Sequence, residues 1–254
     1  MSIPIPKINK TKTTIDNGFF QKLESQFPGA GRGNWYIYAG VVFQTNDRMD
    51  LIEALWKYVK TASFDAELLG KARKLREALL KNSALVGFPK GINACMSLRK
   101  AIKEQTPQIL TALDADKSLR QSLGRAEKDA RGKEFFAKIY SQHTDRVLEN
   151  MSLASGGDLS EFAINAIYGD LMAEESRLNA KDTGLLEFLA CYASGGSAWV
   201  QAKGHMYGCR NLGNGKPEIY GAMAVCNEIE KRLSIKVNRE PEENWAWVSN
   251  AYAW

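Results

Sequence analysis

Apolar residues recur at intervals of three and four along almost the whole chain, and runs that alternate apolar with polar residues are nearly absent. In MDLIEALWKYVK the stripe is Leu51, Leu55, Tyr58 and Val59. This periodicity predicts an all-α protein. Helices are expected near 17–26, 35–44, 48–61, 66–84, 89–104, 107–113, 118–153, 158–174, 180–194, 197–212 and 217–234. They are punctuated by Gly87 and Pro89 in VGFPKG, by a capping box of Asp158 with Glu161 in GDLSEF, and by Gly213, Gly215 and Pro217 in LGNGKPE.

A chain of 254 residues holds one large helical domain or two small ones. The most charged stretch, 118–153, is the natural connector, with an expected break at Gly132. It divides the chain into an N-terminal half, 1–117, the connecting helix, and a C-terminal half, 154–254. The halves share a pattern. KLREALLKNSALVGFPKGINACMSLRKAI and GLLEFLACYASGGSAWVQAKGHMYGCRNL each carry an acid in an apolar helix (Glu77, Glu187), a Gly-containing break, and a helix rich in small residues. Two tandem related halves are therefore expected. The place of His205 falls in the first half on Cys95, or on Asn93 with a two-residue gap, and neither shuttles protons as an unperturbed imidazole does near neutral pH.

Lys and Arg exceed Asp and Glu by five, but acids interleave with the bases in RAEKDARGKEFF. That pattern is a solvated helix face, and no nucleic-acid partner is expected. No apolar run reaches the length of a membrane span, so no membrane partner is expected either. The start, MSIPIPKINKTKTTID, has three lysines and no acid before Asp16, but it lacks arginine and carries two prolines. A cytoplasmic location is expected, with a mitochondrial one as the alternative. Tyr252, Ala253 and Trp254 do not match a Ser-Lys-Leu address.

Cys95, Cys191, Cys209 and Cys226 have no Cys-x-x-Cys spacing, and His143 and His205 are the only imidazoles. No metal site and no cofactor is expected, and the thiols are expected reduced. His205 stands out, because Gly204 and Gly208 flank it on a helix that glycine weakens by about 1 kcal/mol per residue. Such glycines clear space for a neighbouring helix or for a ligand. His205 is either a general acid and base or a core histidine satisfied by a carbonyl. Glu187, among Leu185, Leu186, Phe188 and Leu189, either holds an exchangeable proton or leans into a salt bridge. Glu77, beside Lys74, Arg76 and Lys81, is expected to be solvated. Cys209 lies one turn after His205 and, like Cys191, is a candidate thiolate or a small packed hydrophobe. The tail NWAWVSNAYAW is a partner patch or folds back over the helices.

The run LNAKDTGLLEFLACYASG through GHMYGCRNLGNGKPEIYGAMAVCNEIEKRL resembles the carboxymuconolactone decarboxylase and alkylhydroperoxidase-D-like family over roughly 177–234, and more faintly over 66–104. The resemblance implies packed antiparallel helices, assembly as a homo-oligomer, and a site between an acidic helix and a histidine helix. Glu187 matches the acid, His205 the histidine, and Asn211, Leu212 and Gly213 the Asn-x-Gly. Ala198 and Gln201 stand where the peroxidase branch has its Cys-x-x-Cys, so dithiol peroxide chemistry is not implied. The resemblance implies a cofactor-free, decarboxylase-like lyase acting on a small organic acid or lactone. His205 would be acid and base, Glu187 its partner, and Gly204, Gly208, Tyr207 and Asn211 the substrate contacts. Asn211, Tyr207 or Lys203 would stabilise an enolate. Two alternatives stand beside it. One is a single-cysteine peroxide or redox protein using Cys191 or Cys209. The other is a non-catalytic oligomeric helical interaction protein.

Overall fold

The computed structural model describes residues 15–27, 33–117 and 123–253, with side chains described as far as 249. The basic start as far as residue 14, residues 118–122 of the charged stretch, and Trp254 lie outside them. Every regular element among the described residues is helical, with no strand, as the periodicity predicts. None of their helices is long and apolar enough to cross a membrane.

The interior is organised around α2 (Trp35–Thr45), in which every residue is buried. WYIYAGVVFQT is apolar around its whole circumference, and such a helix belongs inside a protein rather than at its surface. Helices α1 (Asn17–Ser25), α3 (Met49–Thr61), α4 (Asp65–Val86), α10 (Ala180–Ser194) and α12 (Lys216–Leu233) pack around it. Its polar end is knitted to α4, where Gln44 Nε2 donates to Leu79 O at 3.0 Å and Asn82 Nδ2 to Gln44 Oε1 at 3.0 Å. The expected stripe of α3 is buried, and Trp56 Nε1 donates to Thr106 Oγ1 at 3.1 Å, beyond α5 (Phe88–Gln105).

Two helix hairpins meet at this centre. Helices α4 and α5 turn at Gly87, whose φ of 107° suits glycine. Helices α10 and α11 (Trp199–Asn211) turn through Gly195 and Gly196. One continuous core runs from Phe19 to Trp247, so residues of both expected halves contribute to it. After the short α6 (Leu110–Ala115), α7 (Arg125–Tyr140) packs on a π-helix, Ala163–Met172, and on α11. There Phe135, Phe136, Ile139, Ile164, Tyr168 and Met172 form a second, smaller core.

The structure corrects several expectations. Gly132 is not a break. It lies inside α7, where a Cβ would stand 2.4 Å from Ile164 O and 2.7 Å from Gly169 N, so it marks a close crossing with the π-helix. The break comes at Ser141–His143, a 3₁₀ turn between α7 and α8 (Thr144–Ser155). Asp158 caps nothing, because Gly157 is the N-cap of α9 (Asp158–Phe162), and α9 passes into the π-helix. In LGNGKPE, by contrast, Glu218 Oε2 accepts from Gly215 N at 3.0 Å and closes the start of α12. The aromatic tail folds back. Trp245 meets Tyr192 edge-on at 6.0 Å, and Arg239 lies over the Tyr192 ring at 4.1 Å while bonding Glu230.

Glycine to alanine in a helix ordinarily gains about 0.5–1 kcal/mol, but a Cβ at Gly132 meets backbone that cannot swing aside. Overpacking of that kind costs about 1–3 kcal/mol. Gly132→Ala is therefore expected to lower the chemical denaturation midpoint, whereas Gly70→Ala, with nothing within 4 Å of its Cβ, should raise it. Equal shifts in the two variants would refute the close crossing.

Candidate functional site

Helix α10 is wedged between α2, α4, α11 and α12, and every residue from Thr183 to Ala193 is buried. Glu187 sits in the middle of that span, 1% exposed, with no well-formed hydrogen bond to either carboxyl oxygen. Burial therefore pushes its pKa up to about 8, against the pull of Lys81 and of the Tyr168 hydroxyl. His205 enters from α11. Its Nδ1 stands 3.8 Å from Glu187 Oε2, a contact rather than a hydrogen bond, and burial lowers its pKa to about 4. At neutral pH both groups are thus uncharged, and the proton rests on the carboxyl.

Two tyrosines close the site. Tyr140, the last residue of α7, places its ring 6.0 Å from the His205 ring. Its hydroxyl interacts with that of Tyr168 on the π-helix, and burial raises the pKa of both. Behind Glu187 lies Lys81 of α4, wholly buried. Its Nζ donates to Glu174 O at 2.6 Å, Thr183 Oγ1 at 2.9 Å and Met172 O at 3.2 Å, and stands 3.4 Å from Glu77 Oε1. Glu77 is buried too, against the expectation of a solvated residue, because α4 is covered by α2 and α5 on one side and by α10 on another. Desolvation lowers the pKa of Lys81, and Glu77, Glu187 and Glu174 oppose that shift.

Of the residues singled out in the sequence, the structure brings Glu187 and His205 together. Gly208 instead serves helix packing: a Cβ there would lie 2.6 Å from Ile139 Cγ2. Asn211 Nδ2 donates to Ile139 O at 2.8 Å, fixing α11 to α7. Tyr207 and Lys203 lie on the exposed side of α11. Gly204 does face the site, under the Tyr140 ring. All four cysteines are free. Burial pushes Cys191 up to about 12, and Cys209, whose Sγ donates to Gly184 O at 3.0 Å, well above a thiol's usual value. Among the described residues no three His, Cys, Asp or Glu side chains gather as metal ligands.

The sequence reading missed Lys81, Tyr140 and Tyr168. Tyr168 and Tyr140 carried no signal beyond their aromatic character. Two hollows of the described surface lie elsewhere, one between Trp35, Tyr58 and Lys71, the other beside the tail, between Tyr192, Arg239 and Trp245.

These shifts fix a pH dependence. An unfolded carboxyl releases its proton near 4.5 and folded Glu187 near 8, so its contribution to stability is lost as pH rises across that window. An unfolded imidazole titrates near 6.5 and folded His205 near 4, so its contribution is lost as pH falls from 6.5 towards 4. The two oppose each other from 4.5 to 6.5. From 6.5 to 8 only the Glu187 loss remains, with a limiting slope of about 1.4 kcal/mol per pH unit. Urea unfolding is expected to show wild type losing stability relative to Glu187→Gln over that upper window; parallel curves would refute the protonated carboxyl.

No protein-family model and no solved structure matches the chain. Among curated proteins, the Peroxisomal protein 2 of Schizosaccharomyces pombe (strain 972 / ATCC 24843) is 30% identical over 210 residues, which cover 82% of this chain and 90% of the relative. The helices that build the core and the hairpin that carries Glu187 and His205 thus stand in a chain that belongs to the family of Peroxisomal protein 2.

Proposed function

We propose that this protein is a cofactor-free acid–base enzyme, a decarboxylase-like lyase of the carboxymuconolactone decarboxylase and alkylhydroperoxidase-D-like class, acting on a small organic acid or lactone. One observation carries the reading: Glu187 and His205, from successive helices, meet at 3.8 Å in the buried interior, with no well-formed hydrogen bond to either carboxyl oxygen. Perturbed proton affinities in such pairs are the mark of acid–base sites. Glu187 holds the proton, and neutral His205 is the group through which it moves. Loss of CO₂ from a β-keto acid leaves its electron pair as an enolate; His205 delivers the Glu187 proton to that carbon, and Glu187 is reloaded from solvent. Tyr168 is the hydroxyl donor for the enolate oxygen, in place of Asn211, Tyr207 and Lys203.

The reading includes two tandem halves and a homo-oligomer. Both hairpins place a buried glutamate on their first helix and turn at a glycine of positive φ. Phe88, Ile92 and Met96, one exposed stripe of α5, are a surface that assembly would cover. A rival reading, a non-catalytic interaction protein, draws on the position of two surface hollows away from the pair. No observation favours a single-cysteine redox protein, since a reactive thiol needs a lowered pKa.

The relative's name supports a peroxisomal location in place of a cytoplasmic or mitochondrial one. Fluorescent fusions at either end are expected to give puncta that coincide with a peroxisomal marker for at least one fusion. Diffuse signal from both would return the protein to the cytoplasm, and mitochondrial signal would support the other location.

His205→Gln keeps the side chain polar and of similar size but removes proton transfer near neutrality. Activity found by screening carboxylactones and β-keto acids is expected to fall about 10²- to 10⁴-fold, with little change in Tm. A variant that is destabilised yet fully active would sink the acid–base role and leave the interaction protein as the better account.

A further inference from the structure

If His205 moves a proton to a substrate, something must uncover it, because it is 5% exposed. Behind it lie α10 and the core residues Met206 and Cys209. Tyr140 differs from these neighbours. It is half-buried, and its Cε1 lies 3.7 Å from where a Cβ on Gly204 would stand, so its ring lies across bare backbone beside the imidazole. Any larger residue at 204 would occupy the room through which that ring turns. The Phe136 ring, 4.4 Å away, the hydroxyl contact with Tyr168 and the edge of the second core hold it.

The backbone adds a second, independent observation. Ser141, directly after Tyr140, has φ 50° and ψ −126°, a conformation that costs an L residue energy and that the surrounding structure must enforce. The strain therefore sits at the joint between α7 and the 3₁₀ turn, one residue from the ring that covers His205.

We propose that Tyr140 is a gate over His205, and that the ligand admitted is a planar small acid or lactone about the size of the phenol ring it displaces. This rests on the acid–base reading above. Turning Tyr140 outward opens a flat slot bounded by Gly204, His205 and Phe136. It also frees the Tyr168 hydroxyl to donate to the ligand's carbonyl or carboxylate oxygen. A non-planar ligand, or one much larger than a single ring, does not fit the space one ring leaves.

Access can be read without any activity, by acylating the full-length protein with diethyl pyrocarbonate and following His205 and His143 in separate peptides. His143 is exposed and serves as the internal reference. In wild type His205 is expected to react at least tenfold more slowly than His143. In Tyr140→Ala its rate should rise about tenfold or more, and in Tyr140→Phe, which loses only the hydroxyl contact, a few-fold. If the alanine variant fails to fold, the phenylalanine variant decides. A His205 rate unchanged in the folded variants, or equal to that of His143 in wild type, overturns the gate. These outcomes are independent of the acid–base reading, which stands or falls on the activity of His205→Gln.

Discussion

One buried ammonium ties the candidate site to the fold. Lys81 reaches two carbonyls at the end of the π-helix, the Thr183 hydroxyl on α10 and the Glu77 carboxylate on its own helix, all without access to water. A buried cation without such partners is not tolerated, so three elements must converge on one point. Arg131 reinforces the joint from α7 by pairing with Glu174 at 3.0 Å. The register of α10 that follows places Glu187, and the end of the π-helix that follows places Tyr168. Removing one member of a buried ion pair typically costs about 3–5 kcal/mol because the other is left stranded. The joint is thus intolerant of losing either partner.

The fold was legible in the sequence wherever a helix has one buried face or none exposed. The stripe of α3, the all-apolar α2 and the glycine-punctuated hairpins are each read from local pattern. What escaped is what depends on a second neighbour. At about 100° per residue, Glu77 and Lys81 lie about 200° and 240° around α4 from Leu75, on the side a single-stripe helix gives to solvent. Their burial follows from α10 covering that side, which nothing in residues 65–86 announces. Gly132 failed in the opposite way: read as a flaw in a helix, it is the contact that lets α7 and the π-helix touch. At the site, Glu187 and His205 were legible because an acid and an imidazole in apolar surroundings are conspicuous. Tyr140 was not, since an aromatic at a helix end has no distinguishing pattern.

Desolvation by the same interior acts in opposite directions on the two partners, raising the carboxyl and lowering the imidazole. Neither is charged at neutral pH, so the pair does not need the dense hydrogen bonding that encloses Lys81. That absence of charge fits two titratable groups standing at 3.8 Å without a well-formed hydrogen bond to the carboxyl.

The contrast between the two buried glutamates shows what separates a structural acid from one suited to chemistry. Glu77 has Lys81 at i+4 on its own helix, and the two form a pair at 3.4 Å. Glu187 has Cys191 at that position, a thiol that burial keeps protonated and that supplies no positive charge. With no cation one turn away, the cheapest state for Glu187 is to keep its proton, and a proton kept only by lack of solvation is one that a neighbouring imidazole can exchange. Lys81 is close enough to moderate that proton affinity but is already engaged with Glu77. On the proposed acid–base reading, the helix that carries Lys81 contributes a field at Glu187, and proton transfer is left to the hairpin whose own i+4 residue is neutral.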